Sequence, residues 1–443
     1  MSIKTINLFD GIAENFPYYT AGLKNYLDEL WQTRPLFLRD DDDEEEIRSK
    51  EQRFFKLSPG NIKPRNYVGF VQYGDVRINV YPRVFYNHSA NVEQNPSVAI
   101  NHVLKWLSYG GRIHFPFSEL DRSLTNQEDW LEALIFLFSN YTLDVLSTSP
   151  YFAYQEVTEE MAFVRGRIAT QEYIHHNLVK GRHHLIHCTY EPFVYDNRFN
   201  RIVKHTCRVL QSITLNNVNR NLLDDILFLL DEVTDVYSTA ADCAKVAVNR
   251  LYPEVGIITN MCAAFLSNQA YTDGVMNNQS LCILLPMEVI YEQYVAGFIQ
   301  KHFPKLKAIP QASGEYVALT GESFTKKVFR MKHDILLPGK MIIDTKYKFR
   351  YSSEDSKGFV SQDDVYQMVT YCYKRHMQNG LLLYPMHFHS RANNELHQFK
   401  IEAEANEPIM IEARSLDITE NDLGKFNDNQ IIKFQQLLKK WTE

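Results

Sequence analysis

MKHDILLPGKMIIDTKYK, residues 331–348, decides the fold of the C-terminal part of this 443-residue chain. Its apolar, β-prone segments ILL and MII stand on either side of PGK, a combination typical of a tight turn. The pattern predicts a β-hairpin whose loop is three residues long. In that register, Asp334 on the first strand faces Asp344 on the second.

The predicted hairpin brings three charged side chains together. Directly opposed side chains have Cβ atoms roughly 4.5–5.5 Å apart, so one cation can bridge Asp334 and Asp344. Side chains alternate along a strand, so Lys346 shares the face of Asp344, whereas Thr345 points away and offers its main-chain carbonyl. Adjacent carboxylates repel without a cation, and hard oxygen ligands suit Mg²⁺ or Mn²⁺. The pattern indicates metal-assisted hydrolysis of a phosphodiester; the alternative is a surface hairpin with scattered charges.

The segment before the hairpin is predicted to be helical. Residues 286–303 begin with proline and carry apolar residues at helical spacing. Glu288 and Glu292 lie four residues apart on this helix. Either both are solvated, or Glu292 reaches the metal or its water. Residues 316–319 are predicted to form a short strand between this helix and the hairpin.

A second amphipathic helix is predicted after the hairpin, at residues 361–378. It places Gln367 and Tyr371 four residues apart, where they can orient Lys346 or a phosphate. The remaining predicted elements are strands at 380–384, 396–401 and 409–413 and a helix at 421–441.

This order of helix, three strands, helix and strand resembles the core of the PD-(D/E)xK nuclease superfamily. Asp334 matches the first acid of that motif, and Asp344-Thr345-Lys346 match its D-x-K. The resemblance implies that Asp334, Asp344, Lys346, Glu292 and Gln367 are catalytic. It also implies that Asp334, Asp344, the Thr345 carbonyl and Glu292 hold the metal.

The rest of the chain resembles the McrC family. The matching segments are VGFVQYGDVRINVYPRV at 68–84, FVRGRI at 163–168 and YEPFVYDNRFNRIVK at 190–204, with Asp196, Asn200 and Arg201 in the family's places. Arg83 stands where the family has lysine, which keeps the charge. The resemblance runs from about residue 65 to the C-terminus, and the first 60 or so residues match no family.

McrC is the endonuclease subunit of McrBC systems, which restrict modified DNA such as DNA with 5-methylcytosine. The resemblance implies a separate McrB-type AAA+ GTPase that forms a hexameric ring, binds GTP, recognises modified DNA and translocates. It also implies that this chain docks through its N-terminal half, stimulates GTP hydrolysis and cuts double-stranded DNA.

Charge and composition agree with a protein that receives its DNA from a partner. The formal net charge is −7, and the acidic run 40–46 contributes seven negative charges, so the remainder is near neutral (−7 + 7 = 0). A protein that finds DNA alone usually has a basic surface. The chain has no GxxxxGK[ST] sequence, so it is not a P-loop NTPase. It has no long apolar run, no signal-peptide pattern and six scattered cysteines, which favours a cytoplasmic protein without a membrane span.

The predicted fold class is mixed α/β. The predicted domains are an N-terminal α/β region at 1–120 with an acidic loop at 40–46, a helix-rich docking region at 121–275, and a restriction-endonuclease-like domain at 276–443. Residues 126–146, 200–213, 222–236, 240–251 and 261–266 are the helical candidates of the middle region. Two other functions stay open: a stand-alone PD-(D/E)xK repair nuclease, and a non-catalytic activator of an AAA+ ring.

Overall fold

The structure is a computed structural model of the full chain. It describes residues 3–33, 51–86, 96–110, 126–154, 156–248, 250–267, 271–272, 275–276, 281–320, 325–348, 360–386, 396–403, 406–420 and 423–442. The acidic run 40–46 lies outside the described residues, as does most of the polar segment 268–279. Within the described ranges, no helix is both long enough and apolar enough to cross a membrane.

The elements alternate in type along the chain, which confirms the predicted mixed α/β class. The strands are β1 Lys4–Phe9, β2 Glu14–Phe16, β3 Phe55–Ser58, β4 Gly60–Pro64, β5 Tyr67–Tyr73, β6 Val76–Tyr81, β7 Ala153–Tyr154, β8 Val157–Met161, β9 Arg167–Ile168, β10 Ile186–Tyr190, β11 Phe193–Val194, β12 Tyr271–Thr272, β13 Val275–Met276, β14 Leu281–Pro286, β15 Ile309–Thr320, β16 Lys326–Leu337, β17 Met341–Thr345, β18 Asn379–Pro385, β19 His397–Ala403 and β20 Asn406–Leu416.

The α-helices are α1 Ala21–Thr33, α2 Pro96–Leu107, α3 Trp130–Thr148, α4 Thr170–Tyr173, α5 Arg198–Ile213, α6 Asn217–Leu229, α7 Ala240–Cys243, α8 Pro253–Leu266, α9 Met287–His302, α10 Gln362–Arg375 and α11 Phe426–Thr442. In the C-terminal part, the predicted order of helix, three strands, helix and strand is confirmed as α9, β15, β16, β17, α10 and β18. The strand predicted at 316–319 is the outer part of the longer β15.

The chain forms two compact units. One unit contains Met1–Trp130 together with Gln279–Glu443, and the other contains Leu131–Asn278. The predicted boundaries separate 1–120 from 276–443, whereas the structure places both regions in one unit. The physical reason is that β14, which follows the middle region, pairs antiparallel with β5 and completes the sheet β1-β6-β5-β14.

Further contacts join the two ends of the chain within the first unit. The Trp106 indole nitrogen donates to the Ile418 carbonyl at 3.2 Å, and the Glu420 amide donates to His102 Nε2 at 2.9 Å. The Tyr109 hydroxyl donates to Asn427 at 2.7 Å. These bonds connect α2 and the turn after it to the segment around α11, so the N-terminal region is part of the fold that carries the C-terminal sheet.

That C-terminal sheet has six strands in the order β15-β16-β17-β18-β20-β19. The β15–β16–β17 pairs are antiparallel, whereas β17 and β20 both pair parallel with β18. Parallel neighbours need a crossover, and α10 supplies it between β17 and β18. The apolar side of α10 packs over Ile342, Leu382 and Ile411, none of which is exposed. This packing makes β17 a central, rigid strand.

The second unit is mainly helical. The Asn197 side chain caps α5 by accepting from the Asn200 amide at 3.1 Å. Asn200 in turn donates to the Tyr151 and Tyr195 carbonyls, and Arg201 forms a 2.7 Å ion pair with Asp196. That guanidinium holds the pKa of Asp196 well below its usual range. The family-like residues Asp196, Asn200 and Arg201 therefore have a structural role at this helix start.

The predicted helices of the middle region differ in detail from the observed ones. Those at 126–146 and 200–213 are confirmed, with small shifts of their ends, as α3 and α5. The helix at 261–266 is the second half of α8. The helix predicted at 222–236 corresponds to α6, which begins and ends earlier, and only the start of 240–251 is α-helical, as α7.

A helix contact in the first unit gives a stability prediction. Gly297 in α9 faces the Tyr109 main-chain carbonyl so closely that an added Cβ would overlap with its oxygen. Alanine normally stabilises a helix interior by about 1 kcal/mol relative to glycine. Here we expect Gly297→Ala to lower the free energy of unfolding by about 2 kcal/mol, because the backbone of α9 or of Tyr109 must move to make room for the methyl group. Urea unfolding of the full chain measures this change.

The neighbouring Ala296→Gly variant is the control. We expect it to cost about 1 kcal/mol through helix propensity, to which the loss of the buried Ala296 methyl group adds. A Gly297→Ala protein that is more stable than this control would contradict the proposed close approach of α9 to the turn after α2.

Candidate active site

The hairpin at 331–348 forms in the predicted register. Leu337 pairs with Met341 and Ile335 with Ile343 across a three-residue loop whose central Gly339 has φ +69°. The strand pairing ends at this last pair. The next positions on the two strands are Asp334 and Asp344, so the two acids meet where the ladder opens.

Asp334 is held by the residue that follows Asp344. The Thr345 amide and hydroxyl both donate to Asp334 Oδ2, at 2.7 and 2.8 Å. The prediction that the Thr345 side chain points away from the site is therefore wrong. Because the ladder ends before Asp334, the Thr345 amide bonds a side-chain carboxylate instead of a main-chain carbonyl. The use of the Thr345 carbonyl as a metal ligand stays a prediction.

Asp344 and Lys346 form a buried ion pair. Lys346 Nζ lies 2.8 Å from Asp344 Oδ2, and the Asp344 side chain is only 3% exposed. Within the described residues, this oxygen contacts the Lys346 ammonium as an ion pair whose angles are not those of a hydrogen bond. A carboxylate oxygen has two lone pairs, so Asp344 Oδ2 can accept a ligand beside the ammonium.

The pKa values of the acids follow from this burial. Burial, and then the charge of Asp334, raise the pKa of Asp344 to about 7. Burial also raises the pKa of Asp334, although the two bonds from Thr345 oppose the shift. Burial disfavours the Lys346 ammonium, but the adjacent Asp344 and Asp334 carboxylates outweigh it and raise the pKa of Lys346. The site favours additional positive charge.

These residues fit a hard divalent cation. Asp334 and Asp344 supply carboxylate oxygens at a place where burial disfavours their two negative charges, and Thr345, which follows Asp344 in the chain, offers a carbonyl oxygen. In the described part of the chain, no group of three or more His, Cys, Asp or Glu side chains is arranged to hold a metal. A cation here would complete its coordination with carbonyl, water or phosphate oxygens, which is the usual situation of Mg²⁺.

A hydrogen-bonded chain from α10 fixes Lys346. Lys346 Nζ donates to Gln367 Oε1 at 2.9 Å, and Gln367 Nε2 donates to the Tyr371 hydroxyl at 2.8 Å. The four-residue spacing on a helix places both side chains on one ridge. The structure thus brings together Lys346, Gln367 and Tyr371 as the sequence predicts.

Asp364 is a residue of this site that the sequence analysis missed. Its Oδ1 lies 4.0 Å from Lys346 Nζ and 3.3 Å from Lys348 Nζ, and its Oδ2 accepts from the Tyr384 hydroxyl at 3.3 Å. Asp364 is 7% exposed and precedes Gln367 by one helical turn. That spacing was the available signal. Asp364 adds negative charge beside Lys346 and helps keep the ammonium in place.

Glu292 contacts β15, the strand that flanks Asp334. It lies on α9, as predicted, and accepts a hydrogen bond from Gln311 Nε2. Gln311 has a left-handed backbone with φ +51° on β15, the strand that pairs with the one carrying Asp334. Glu292 does not join Asp334 and Asp344 in a three-carboxylate group. Its action through a water stays a prediction.

The N-terminal region contributes a buried acid that the sequence did not indicate. Asp10, just after β1, accepts a hydrogen bond from the Arg83 amide. Burial raises the pKa of Asp10 to about 7 and, together with the Asp10 charge, raises that of Tyr347. Tyr347 directly follows Lys346, so the two residues Asp10 and Arg83 lie close to the backbone of the site.

Comparison with known proteins shows what the chain as a whole is similar to. A family model described as "McrBC 5-methylcytosine restriction system component" matches residues 62–385. A solved chain from the assembly of Thermococcus gammatolerans McrB AAA+ hexamers with bound McrC is 16% identical, with a TM-score of 0.72, and covers 98% of this chain and 100% of that one. A chain of the Thermococcus gammatolerans McrBC complex is 18% identical, with a TM-score of 0.48, and covers 68% of this chain and 88% of that one. No curated protein sequence matches the chain.

The raised pKa of Asp344 gives a pH prediction. A carboxyl that is more easily protonated in the folded state loses stability as pH rises from about 4 to about 7. In metal-free buffer at pH 8, we expect Asp344→Asn to exceed the wild type by about 1–3 kcal/mol in free energy of unfolding. The difference should disappear near pH 4. Urea unfolding of both proteins across this range measures it.

Added Mg²⁺ is the second arm of that experiment. The cation should raise the unfolding free energy of the wild type above pH 7 and leave Asp344→Asn nearly unchanged. An Asp344→Asn protein that is less stable than the wild type at pH 8 without metal would contradict the conclusion that burial and the Asp334 charge disfavour the Asp344 carboxylate.

Proposed function

Because this chain belongs to the McrBC family of 5-methylcytosine restriction system components, whose model spans more than half of it, we propose that it is the nuclease subunit of such a system. It hydrolyses phosphodiester bonds of double-stranded DNA with Mg²⁺ or Mn²⁺. The observation that carries the proposal is the buried Asp344–Lys346 pair beside Asp334, at the open end of the hairpin.

The chemistry assigned to the residues follows from their contacts. Asp334, Asp344 and the Thr345 carbonyl would hold the cation, which when bound would supply Lewis-acid catalysis and neutralise developing negative charge. Lys346 orients the attacking water or stabilises charge on the scissile phosphate. Gln367, anchored by Tyr371, restricts the Lys346 ammonium to one position. Glu292 assists through water.

A separate partner supplies recognition and GTP chemistry in this proposal. The fold extends over the full length of a chain from a structure of McrB AAA+ hexamers with bound McrC. The formal net charge of −7 is unfavourable for capturing DNA unaided. We infer that an AAA+ GTPase hexamer delivers modified DNA to this chain, and that this chain stimulates its GTPase. GTP binds to the partner.

The two alternative functions make different predictions for the same assay. A stand-alone repair nuclease cuts DNA without GTP or a partner. A non-catalytic activator stimulates GTP hydrolysis but leaves DNA intact. The Asp334, Asp344 and Lys346 arrangement favours the nuclease, because an activator does not need a paired-carboxylate site. Incubation of methylated and unmethylated DNA with and without the AAA+ partner, GTP and Mg²⁺ distinguishes the three.

Loss of Asp344 should remove cleavage selectively. We expect Asp344→Ala to lower the rate of DNA cleavage by at least about 100-fold, because one of the two metal-holding carboxylates is gone. Complex formation with the AAA+ partner and stimulated GTP hydrolysis should stay at wild-type levels. Cleavage is followed by gel, and GTP hydrolysis by phosphate release.

Asp363→Ala is the matched control, since Asp363 is an exposed acid at the start of α10. It should cleave like the wild type. A folded Asp344→Ala protein that cuts at the wild-type rate would overturn the assignment of the site. One that fails to bind the partner would overturn the separation of docking from cleavage.

Gln367 offers a test of how Lys346 is positioned. We expect Gln367→Ala to lower the single-turnover cleavage rate roughly 10-fold with little change in the affinity for DNA, because the ammonium loses its anchor. The exposed Gln362 on the same helix is the control, and Gln362→Ala should have no effect. Equal rates for the two variants would show that the Lys346–Gln367 bond is dispensable.

A further inference from the structure

The strands β15 and β16 form a long hairpin arm on the edge of the C-terminal sheet. Their pairing runs from Ile309 opposite Leu336 to Thr320 opposite Lys326. The hairpin of β16 with β17 uses only Ile335–Leu337 of β16, so most of β16 pairs with β15 alone. At roughly 3.3 Å per residue, Lys326 lies about 26 Å along the strand from Asp334. The arm and the candidate active site therefore share one strand.

The arm is basic in a chain that is acidic overall. Lys326, Lys327, Arg330 and Lys332 lie within seven residues, and the first three are exposed. No carboxylate of the described residues forms an ion pair with any of these four side chains; Arg330 instead donates to the Ser313 hydroxyl, and Lys327 lies over the Tyr316 ring. A row of cations outside ion pairs favours a polyanionic ligand.

The cations have a defined orientation relative to the site. Met331, His333 and Ile335 are buried, whereas Arg330, Lys332 and Asp334 alternate with them. Alternation places those three side chains on the same face of the strand at intervals of roughly 7 Å. Lys332 is close enough to Asp334 to favour its ionised form. A line of positive charge thus leads along β16 to the candidate catalytic acid.

Phe329 is the most unusual residue of the arm. Its ring is 72% exposed, and its backbone has φ +58°, a conformation that bulky side chains rarely adopt. The pairs on either side of it, Tyr316–Arg330 and Ala318–Val328, keep one register. The left-handed backbone interrupts the regular alternation at Phe329, so its ring is not confined to the face opposite Arg330 and Lys332. A strained backbone that presents an exposed aromatic ring points to a functional contact rather than to stability.

We propose that this arm is a DNA-binding element, in which Arg330 and Lys332 contact backbone phosphates and Phe329 inserts against a base step. The inference rests on the proposed function, because it takes double-stranded DNA as the substrate. Aromatic or apolar side chains that insert between base steps are a common way to hold and bend a duplex. The arm extends about 26 Å from Asp334, which corresponds to roughly eight base pairs at 3.4 Å per step.

The test measures binding of a methylated 40-base-pair duplex to the complex of the full chain with its AAA+ partner. All chains carry Asp344→Ala so that the DNA is not cut. Phe329→Gly is the first variant, because glycine adopts positive φ freely and the thermal midpoint should stay the same or rise. We expect it to weaken binding about 10-fold, because one aromatic ring no longer stacks on a base.

The double variant Arg330→Ala/Lys332→Ala examines the phosphate contacts. Removal of one phosphate-neutralising cation reduces the slope of log K against log salt by about 0.9, so the slope should fall by about 2 and the affinity should drop for every sequence. Phe329→Gly should leave the slope unchanged. Tyr373→Ala, an exposed aromatic on α10, and Lys400→Ala, on the opposite edge strand β19, are the controls and should bind like the parent.

The outcomes of this test distinguish a failure of the arm proposal from a failure of the proposed function. If the parent complex binds duplex DNA and both arm variants bind it equally well, the arm proposal is wrong and the nuclease proposal stands. If the arm variants keep DNA binding but lose the AAA+ partner, the arm is a protein-docking element and the proposal is also wrong. If the parent complex neither binds DNA nor, with Asp344 intact, cuts it, the proposed function itself fails.

Discussion

The ion pair between Lys346 and Asp344, buried next to a second carboxylate, is the interaction on which the site depends. Removing charges from water costs several kcal/mol per ion unless the surroundings compensate. Here the compensation is specific: Thr345 donates twice to Asp334, and Gln367 accepts from Lys346. Asp344 Oδ2 faces the Lys346 ammonium at 2.8 Å without hydrogen-bond geometry. The two carboxylates carry more negative charge than the Lys346 ammonium neutralises, so the site is electrostatically balanced only when a further positive charge is present.

The surrounding sheet supplies the rigidity that this site requires. Asp344 lies at the end of β17, which is paired on both sides, by β16 and by β18. Ile342 and Ile343 just before it are fully buried, so the strand has little freedom to shift. Helix α10 then covers this part of the sheet and delivers Gln367 and Asp364 to the same ammonium. The edge pair β15–β16 extends beyond this packing, which leaves its cations and Phe329 accessible.

The N-terminal region is part of the same folded unit as the site. Strand β14 completes the N-terminal sheet and leads directly into α9, the helix of Glu292. Asp10 and Arg83 lie behind Tyr347, next to Lys346. The N-terminal region, which carries none of the proposed catalytic carboxylates, therefore contacts the backbone on both sides of the site. The segments before and after the middle region therefore fold together, although the chain leaves the middle region close to the predicted boundary at residue 276.

The sequence by itself determined the hairpin, its register, the order of elements around it and the family. Those features depend on local periodicity, turn chemistry and side-chain alternation, which are short-range properties. It also indicated that Gln367 and Tyr371 share a ridge, because four-residue spacing on a helix is a local rule. Only the tertiary structure decided that Thr345 turns toward Asp334 and that the two ends of the chain form one unit. These features depend on where a strand ladder ends and on which distant segments pair, and no window of neighbouring residues contains that information.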